Sequence, residues 1–397
     1  MPRIAVAGIT TAYVGLCLAL PAAALGGNPG GAPASAAPKV TSVACKTECS
    51  GVAYARTGSV LVLKGRGLDT AETVTFLGSL KKRGDEVSVE PEKVAGKSIT
   101  VRVPRKAPKS GPLSVTNGDG AVSRPSARVI CVENVKVRRV DGSAGPGLEL
   151  AVTGKKVFFD GERRPTVSFV VRDPQPVRVI VEVIRVADAV SVARVDQGLV
   201  PPDEQRSYSW DGLAADGVPV PDGRYEFRVY AENSAGVRAS SSQAATSEKA
   251  APSPDSFMLL GHKFPIRGAH DYGEFQATYG GGRDHKGQDV FAECGTPLVA
   301  ARGGTVKIKQ FHDRAGHYVV IDGEQSDLDY VYMHLRDEAL VDKGARVHTG
   351  QLIGYVGDTG RASGCHLHFE LWSGPGWYTG GSPFDPLPLL KAWDKYS

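Results

Sequence analysis

Apolar residues recur at every second position in short runs along this chain, and each run ends at a cluster of Gly, Pro, Asp or Asn. The clearest case is V-R-V-I-V-E-V-I-R-V from Val177 to Val186, with the shorter runs S-V-L-V-L-K-G from Ser59 and G-P-L-S-V-T-N from Gly111. Period-two alternation puts every second side chain on one face of an extended strand, so the pattern predicts half-buried β-strands joined by tight turns. Many such strands at short, regular spacing are the signature of β-sandwiches. Residues 39–132 read as a first unit of this kind and residues 133–245 as a second. A linker at 246–257, rich in Ser, Ala and Pro, leads to a third unit at 258–397.

The third unit carries the chemistry. In G-C-H-L-H-F-E-L, from Gly364 to Leu371, Leu367, Phe369 and Leu371 alternate with His366, His368 and Glu370. The run predicts a strand with two imidazoles on one face. A bare H-x-H pair is weak evidence for a metal, but it has partners upstream. In G-R-D-H-K-G-Q-D-V, from Gly282, His285 and Asp289 stand four residues apart with Gly287 between them. Y-V-Y-M-H-L, from Tyr330, ends in His334. An N, O, N ligand set from His285, Asp289 and one histidine of the pair leaves a fourth tetrahedral position open, the arrangement of a catalytic zinc.

In combination, H-x-G-x-D, Y-M-H-L and G-x-H-L-H-F-E-L resemble the lysostaphin/LytM-type zinc metalloendopeptidases that cut peptidoglycan peptides. The resemblance covers about residues 258–390 and includes V-x-x-G-Q-L-I-G-Y-V-G-D-T-G from Val347. It implies one Zn2+ held by His285, Asp289 and His368, with His334 and His366 as catalytic histidines flanking the activated water. His366 is expected to be the base, and His334 to orient the water or stabilise the oxyanion. Tyr279, six positions before His285, is expected near the reacting carbonyl as a substrate-binding residue. Asp284 is either an acceptor for a ligand imidazole or solvent-exposed. Tyr330 and Tyr332 share the strand face of His334 by alternation, where they either line the groove or, as expected, pack against the sheet. The other histidines, His262, His270, His312, His317 and His348, are expected at turns or on the surface. No H-E-x-x-H or G-x-S-x-G motif occurs.

The two upstream units resemble immunoglobulin-like domains. Residues 39–132 are similar to IPT/TIG domains through G-R-G-L and V-T-F-L-G, and the second unit to the flagellar-hook-capping type through W-D-G and D-G-V-P-V-P-D-G-R-Y. Trp210 and Tyr225 of the second read as core aromatics rather than a carbohydrate platform. The fold class expected is therefore mainly β: two Ig-like β-sandwich domains followed by an antiparallel β-sheet zinc peptidase domain.

Residues 1–36 read as a signal peptide and flexible leader, with an apolar core from Ile4 to Leu20. An uncleaved N-terminal anchor is the one route to a membrane. Export to the cell wall or cell surface makes disulfides expected. Without Cys17 five cysteines remain, an odd number; Cys294 and Cys365, both beside the ligand strands, are expected to be bridged. One pair among Cys45, Cys49 and Cys131 bridges the first unit and leaves one free. The chain has 397 residues and a formal net charge of +4, with no nucleic-acid footprint. With no coiled coil, a monomer is the default.

The function that the resemblance implies, together with the expected export, is zinc-dependent hydrolysis of peptidoglycan peptides outside the cytoplasm. The alternatives are a non-catalytic wall-binding or hydrolase-activating protein, and an extracellular protease with a protein substrate.

Overall fold

A computed structural model describes residues 37–49, 53–78, 84–133, 137–141, 145–241, 252–282 and 284–397. The expected signal peptide and leader lie outside these residues. The chain is mainly β, with a single α-helix, Leu387–Asp394, among the described residues. No described helix is long and apolar enough to cross a membrane. The described residues fall into two compact units, one of those within 37–47 and 53–133 and one of residues 48–49 and those within 137–397.

The first unit is built from short sheets around one core. The alternating run from Val60 to Arg66 pairs antiparallel with Lys39–Thr47 on one side and Ser98–Arg102 on the other. Its inward residues Leu61 and Leu63 meet Val74, Phe76, Val101 and Val115 in that core. Cys45, Cys49 and Cys131 are all disulfide-bonded, and no described cysteine is free. This corrects the expectation that one of the three stays unpaired.

In the second unit, residues 138–260 form a sandwich of two sheets. Val177, Val179, Val181 and Val183 are fully buried, as strict alternation requires, and pack with Phe169, Trp210, Tyr225, Phe227 and Phe257. Trp210 and Tyr225 are core aromatics, their polar ends satisfied by the carbonyls of Leu213 and Pro221. The Ser256–Leu260 strand joins this sheet, antiparallel to Gly223–Glu232 and parallel to Lys156–Phe158. The sequence placed Ser256 and Phe257 in a linker and Met258–Leu260 at the head of the last domain. Here they fill the sandwich instead, because Phe257 and Leu259 bury their side chains among its aromatics.

The remaining residues form a two-stranded pair, Pro297–Val299 with Leu352–Tyr355, and a larger sheet whose strands we number β1 (His270–Tyr272), β2 (Gln288–Ala292), β3 (Gly304–His312), β4 (Gly316–Gly323), β5 (Leu328–Leu335), β6 (Arg346–Val347), β7 (His366–Ser373) and β8 (Pro383–Phe384). The order across the sheet is β1-β2-β7-β5-β4-β3-β6, with β8 paired to β7. All these neighbours are antiparallel. One face of β7, Leu367, Phe369 and Leu371, enters the main core with Val290, Tyr330, Tyr332 and Trp393. On its other face Trp372 packs with Tyr318, Val320 and Val331 in a smaller cluster. That second face carries the polar residues of the H-x-H-x-E run.

Candidate metal centre and active site

Strand pairing assembles the site from distant segments. β2 and β7 are registered with Asp289 opposite His368 and Phe291 opposite His366, so four side chains share one face at the centre of the sheet. His285 reaches them from the loop before β2. Its neighbour Asp284 has φ 58°, a left-handed conformation that turns the chain there, and the Asp284 side chain is exposed. Gly287 permits the close approach of this loop to β7: a Cβ at that position would fall 2.4 Å from the Phe369 carbonyl oxygen and 2.9 Å from His368 Nε2.

The donor atoms of His285, Asp289 and His368 all lie within 4.8 Å of one another, and these three residues could hold a metal ion. Asp289 Oδ1 is 3.1 Å from His285 Nε2 and 2.9 Å from His368 Nδ1. The far nitrogen of each ring is tied down. His285 Nδ1 donates to the Thr278 carbonyl at 2.9 Å, and His368 Nε2 donates to Glu370 Oε1 at 2.9 Å. Such bonds fix ring orientation and tautomer, directing the opposite nitrogen to a cation. The donor set of two imidazoles and one carboxylate suits a borderline-soft divalent metal.

Glu370 is a part of the site that the sequence reading passed over. Its carboxylate is buried, and its second oxygen accepts the indole N–H groups of Trp372 at 2.7 Å and Trp377 at 3.1 Å. The signal for it was the alternation itself, which places residue 370 on the face of residues 366 and 368.

His334 and His366 complete the cluster. Their ring centroids are 4.7 Å apart, and His334 is 6.1 Å from His368. His366 Nδ1 donates to the Gly364 carbonyl and His334 Nδ1 to the Thr359 carbonyl, both at 2.8 Å. Each imidazole thus keeps Nε2 as its available nitrogen, and that of His366 lies 3.7 Å from Asp289 Oδ1.

Tyr330 and Tyr332 do not join them. Strict alternation gives those two the same face as His334, but they are fully buried in the main core. His334 itself has φ 61°, and the pairing of β4 with β5 slips there. This left-handed step turns its side chain to the opposite side of the sheet. Tyr279 donates its hydroxyl to the Pro383 carbonyl at 2.8 Å, a bond that ties it to the edge strand β8.

Burial and hydrogen bonding set the charges. Burial would raise the Asp289 carboxyl, but the hydrogen bonds from His285 and His368 outweigh it and hold the group below the usual carboxylate range. Burial likewise lowers His368, yet its bonds to Asp289 and Glu370 prevail and raise it to about 9. His334 is pushed down to about 4 by burial, against the opposing bond to Thr359. It is therefore neutral near pH 7.

Two histidines expected at turns or on the surface are structural. His262 stacks on Trp393, with centroids 4.5 Å apart, and bonds the Tyr330 hydroxyl at 2.7 Å. His270 Nε2 lies 3.2 Å from Asp394 Oδ2. Both hold the C-terminal helix, whose Leu390 and Trp393 are buried. The expected Cys294–Cys365 disulfide is present and ties the end of β2 to the start of β7.

Residues 283–386 match Peptidase family M23, a span that includes all five residues of the cluster. This part of the chain is an M23 peptidase domain. Residues 157–235, which make up much of the preceding sandwich, match the FlgD Ig-like domain. Among curated relatives of the M23 domain, the peptidoglycan DD-endopeptidase ShyA of Vibrio cholerae is 42% identical over 87 residues, 22% of this chain and 20% of the relative. The L-Ala--D-Glu endopeptidase of Bacillus subtilis is 31% identical over 152 residues, covering 34% of this chain and 44% of the relative. The chain thus spans less than half the length of either. The catalytic domain of lysostaphin from Staphylococcus simulans is 29% identical and aligns over 31% of this chain and 92% of its own, with a TM-score of 0.28.

Proposed function

We propose that the M23 domain is a zinc-dependent endopeptidase that hydrolyses peptide bonds of bacterial peptidoglycan, outside the cytoplasm, with the sandwich domains as spacers or wall-binding modules. The observation that carries this reading is the convergence of His285 Nε2, Asp289 Oδ1 and His368 Nδ1, with two further imidazoles presenting Nε2 beside them. M23 relatives that act on peptidoglycan, by their names, include enzymes cutting different bonds of it.

Zinc, when bound by these three residues, supplies Lewis-acid polarisation of a carbonyl and lowers the pKa of a water. The remaining work falls to side chains of this chain. His366 Nε2 accepts the proton of the attacking water and returns it to the leaving amine, a role open to it because its Nδ1 is held by the Gly364 carbonyl and its Nε2 is left available. His334, kept neutral by burial, holds the water or the developing oxyanion in place with Nε2. Glu370 keeps the His368 ring turned toward the metal.

The test is mass spectrometry of the peptides released from purified sacculi by the full chain, with and without a zinc chelator and beside His366→Ala. Chelator-sensitive release of new termini, lost in the variant, is the expected result and identifies the bond. No release from sacculi of several cross-link types, by a folded protein with stoichiometric zinc, would overturn the enzymatic reading in favour of a wall-binding role.

A further inference from the structure

The site-facing side chains of β7 form one line: His366, His368, Glu370 and Trp372. At about 3.3 Å per residue this line is about 20 Å long, and because Glu370 and Trp372 are buried, a peptide extending from the metal ligands in that direction meets the residues packed against them, Trp377 and Tyr378. The metal ligand His368 and the neighbouring His366 occupy the first half of the line. The His366 end is bordered by Phe291, 44% exposed and with its ring 5.6 Å from that of His366.

The other end is built differently. Trp372 and Trp377 are pinned by their indole N–H groups to Glu370, and the backbone N–H of Trp377 donates to the buried Asp329 carboxylate at 2.7 Å. Two anchored tryptophans thus support Tyr378, whose ring lies 4.8 Å from each of theirs. Tyr378 is nevertheless 65% exposed and has φ 49°, a left-handed backbone that strains a non-glycine residue. An aromatic ring held out to solvent at that cost, on a fixed base, is suited to contact a ligand.

A cation stands over the ring of Trp372, on which Tyr378 packs. Lys286 follows the metal ligand His285, and its Nζ lies 6.0 Å from the Trp372 ring centroid. Its carboxylate partner is Asp284, 3.2 Å away and with its side chain 85% exposed. An exposed pair of this kind contributes little, so a ligand carboxylate can displace Asp284 at small cost.

Resting on the peptidase reading, we infer that Lys286 and Tyr378 form a subsite at the Trp372 end of β7 that takes a carboxylate-bearing segment of the extended substrate peptide. Lys286 Nζ receives the carboxylate, and the Tyr378 ring covers the adjacent apolar stem. The subsite distinguishes peptides with a free side-chain or terminal carboxylate from those in which that group is amidated. Both residues act in binding, so their loss raises KM and leaves kcat within about twofold.

The probes are cross-linked muropeptides released from sacculi by a muramidase, used as obtained and after amidation of their carboxylates. Turnover is measured with the zinc-loaded full chain, and binding with zinc-loaded His366→Ala, which reads the subsite without chemistry. The expected result is tenfold or stronger preference for the carboxylate form in both assays. That preference is abolished in Lys286→Gln and retained in Lys286→Arg, whereas Tyr378→Ala weakens both forms. Equal affinity for the two forms, or the same loss for both in Lys286→Gln, overturns the inference. A preference seen in binding without turnover by the wild type sustains the subsite and overturns the enzymatic reading.

Discussion

The His334 ring lies 4.7 Å from that of His366, although strand alternation directs residue 334 to the opposite side of the sheet. The left-handed backbone at His334, φ 61°, is what brings the two together. Backbone strain is thus located at the residue whose side chain must change faces.

That strain predicts an inversion of the usual ranking of small residues. Both His334→Ala and His334→Gly lose the bond to Thr359, but glycine adopts positive φ without penalty. The glycine variant is therefore expected to be the more stable of the two, by about 1 kcal/mol, in urea-unfolding midpoints. Alanine equal to or better than glycine would show that the left-handed conformation carries no cost.

Substitution of His366 separates chemistry from metal binding. His366→Ala is expected to lower kcat by about 10²–10⁴-fold, the usual contribution of a general acid–base group. Bound zinc, counted by atomic absorption, should remain near one per chain, because His285, Asp289 and His368 are intact. Loss of the metal would make His366 a ligand instead.

Glu370 acts through His368. Removing its carboxylate in Glu370→Ala frees the His368 ring and leaves two indole N–H groups without their acceptor. Metal affinity is expected to fall about 10–100-fold in competition with a chromogenic chelator. An unchanged affinity would assign Glu370 to packing alone.

His262 gives the fold an acid sensitivity. Burial, with a smaller contribution from Arg302, pushes this imidazole from 6.5 down to about 3. The unfolded chain takes up a proton below pH 6.5, whereas the folded one resists it until about 3. Stability owed to the neutral ring is therefore complete above pH 6.5 and is lost progressively as pH falls toward 3. The Tm of His262→Gln is expected to vary less steeply over that window than the Tm of the wild type.

The Cys294–Cys365 bridge closes a loop of 71 residues. In the chain-entropy model a loop of this size stabilises by about 4 kcal/mol. Paired Cys294→Ser and Cys365→Ser substitutions should lower the Tm, and reduction of the wild type should do the same.

The strands and the chemistry of the site were legible along the chain because each is a local property. Val177, Val179, Val181 and Val183 declare a buried face through alternation alone, and the same rule puts His366 and His368 on one side of β7. The residue types of His285, Asp289 and the His366/His368 pair offer a metal-binding donor set, and the family resemblance singles out His368 within it. Three other matters required the tertiary structure. Ser256–Leu260 reads as the approach to a new domain, yet it completes the preceding sandwich because aromatic partners distant in sequence receive Phe257. His262 carries no local mark of burial; Trp393 and Tyr330, far along the chain, enclose it. Tyr332 and His334 look alike by period, and only the slip between β4 and β5 sends one to the core and the other to the site. Period and residue type are written in consecutive positions, so the sequence determines them; which side chains meet across a sheet, and where a strand breaks its period to let them, is decided by packing between segments brought together by the fold.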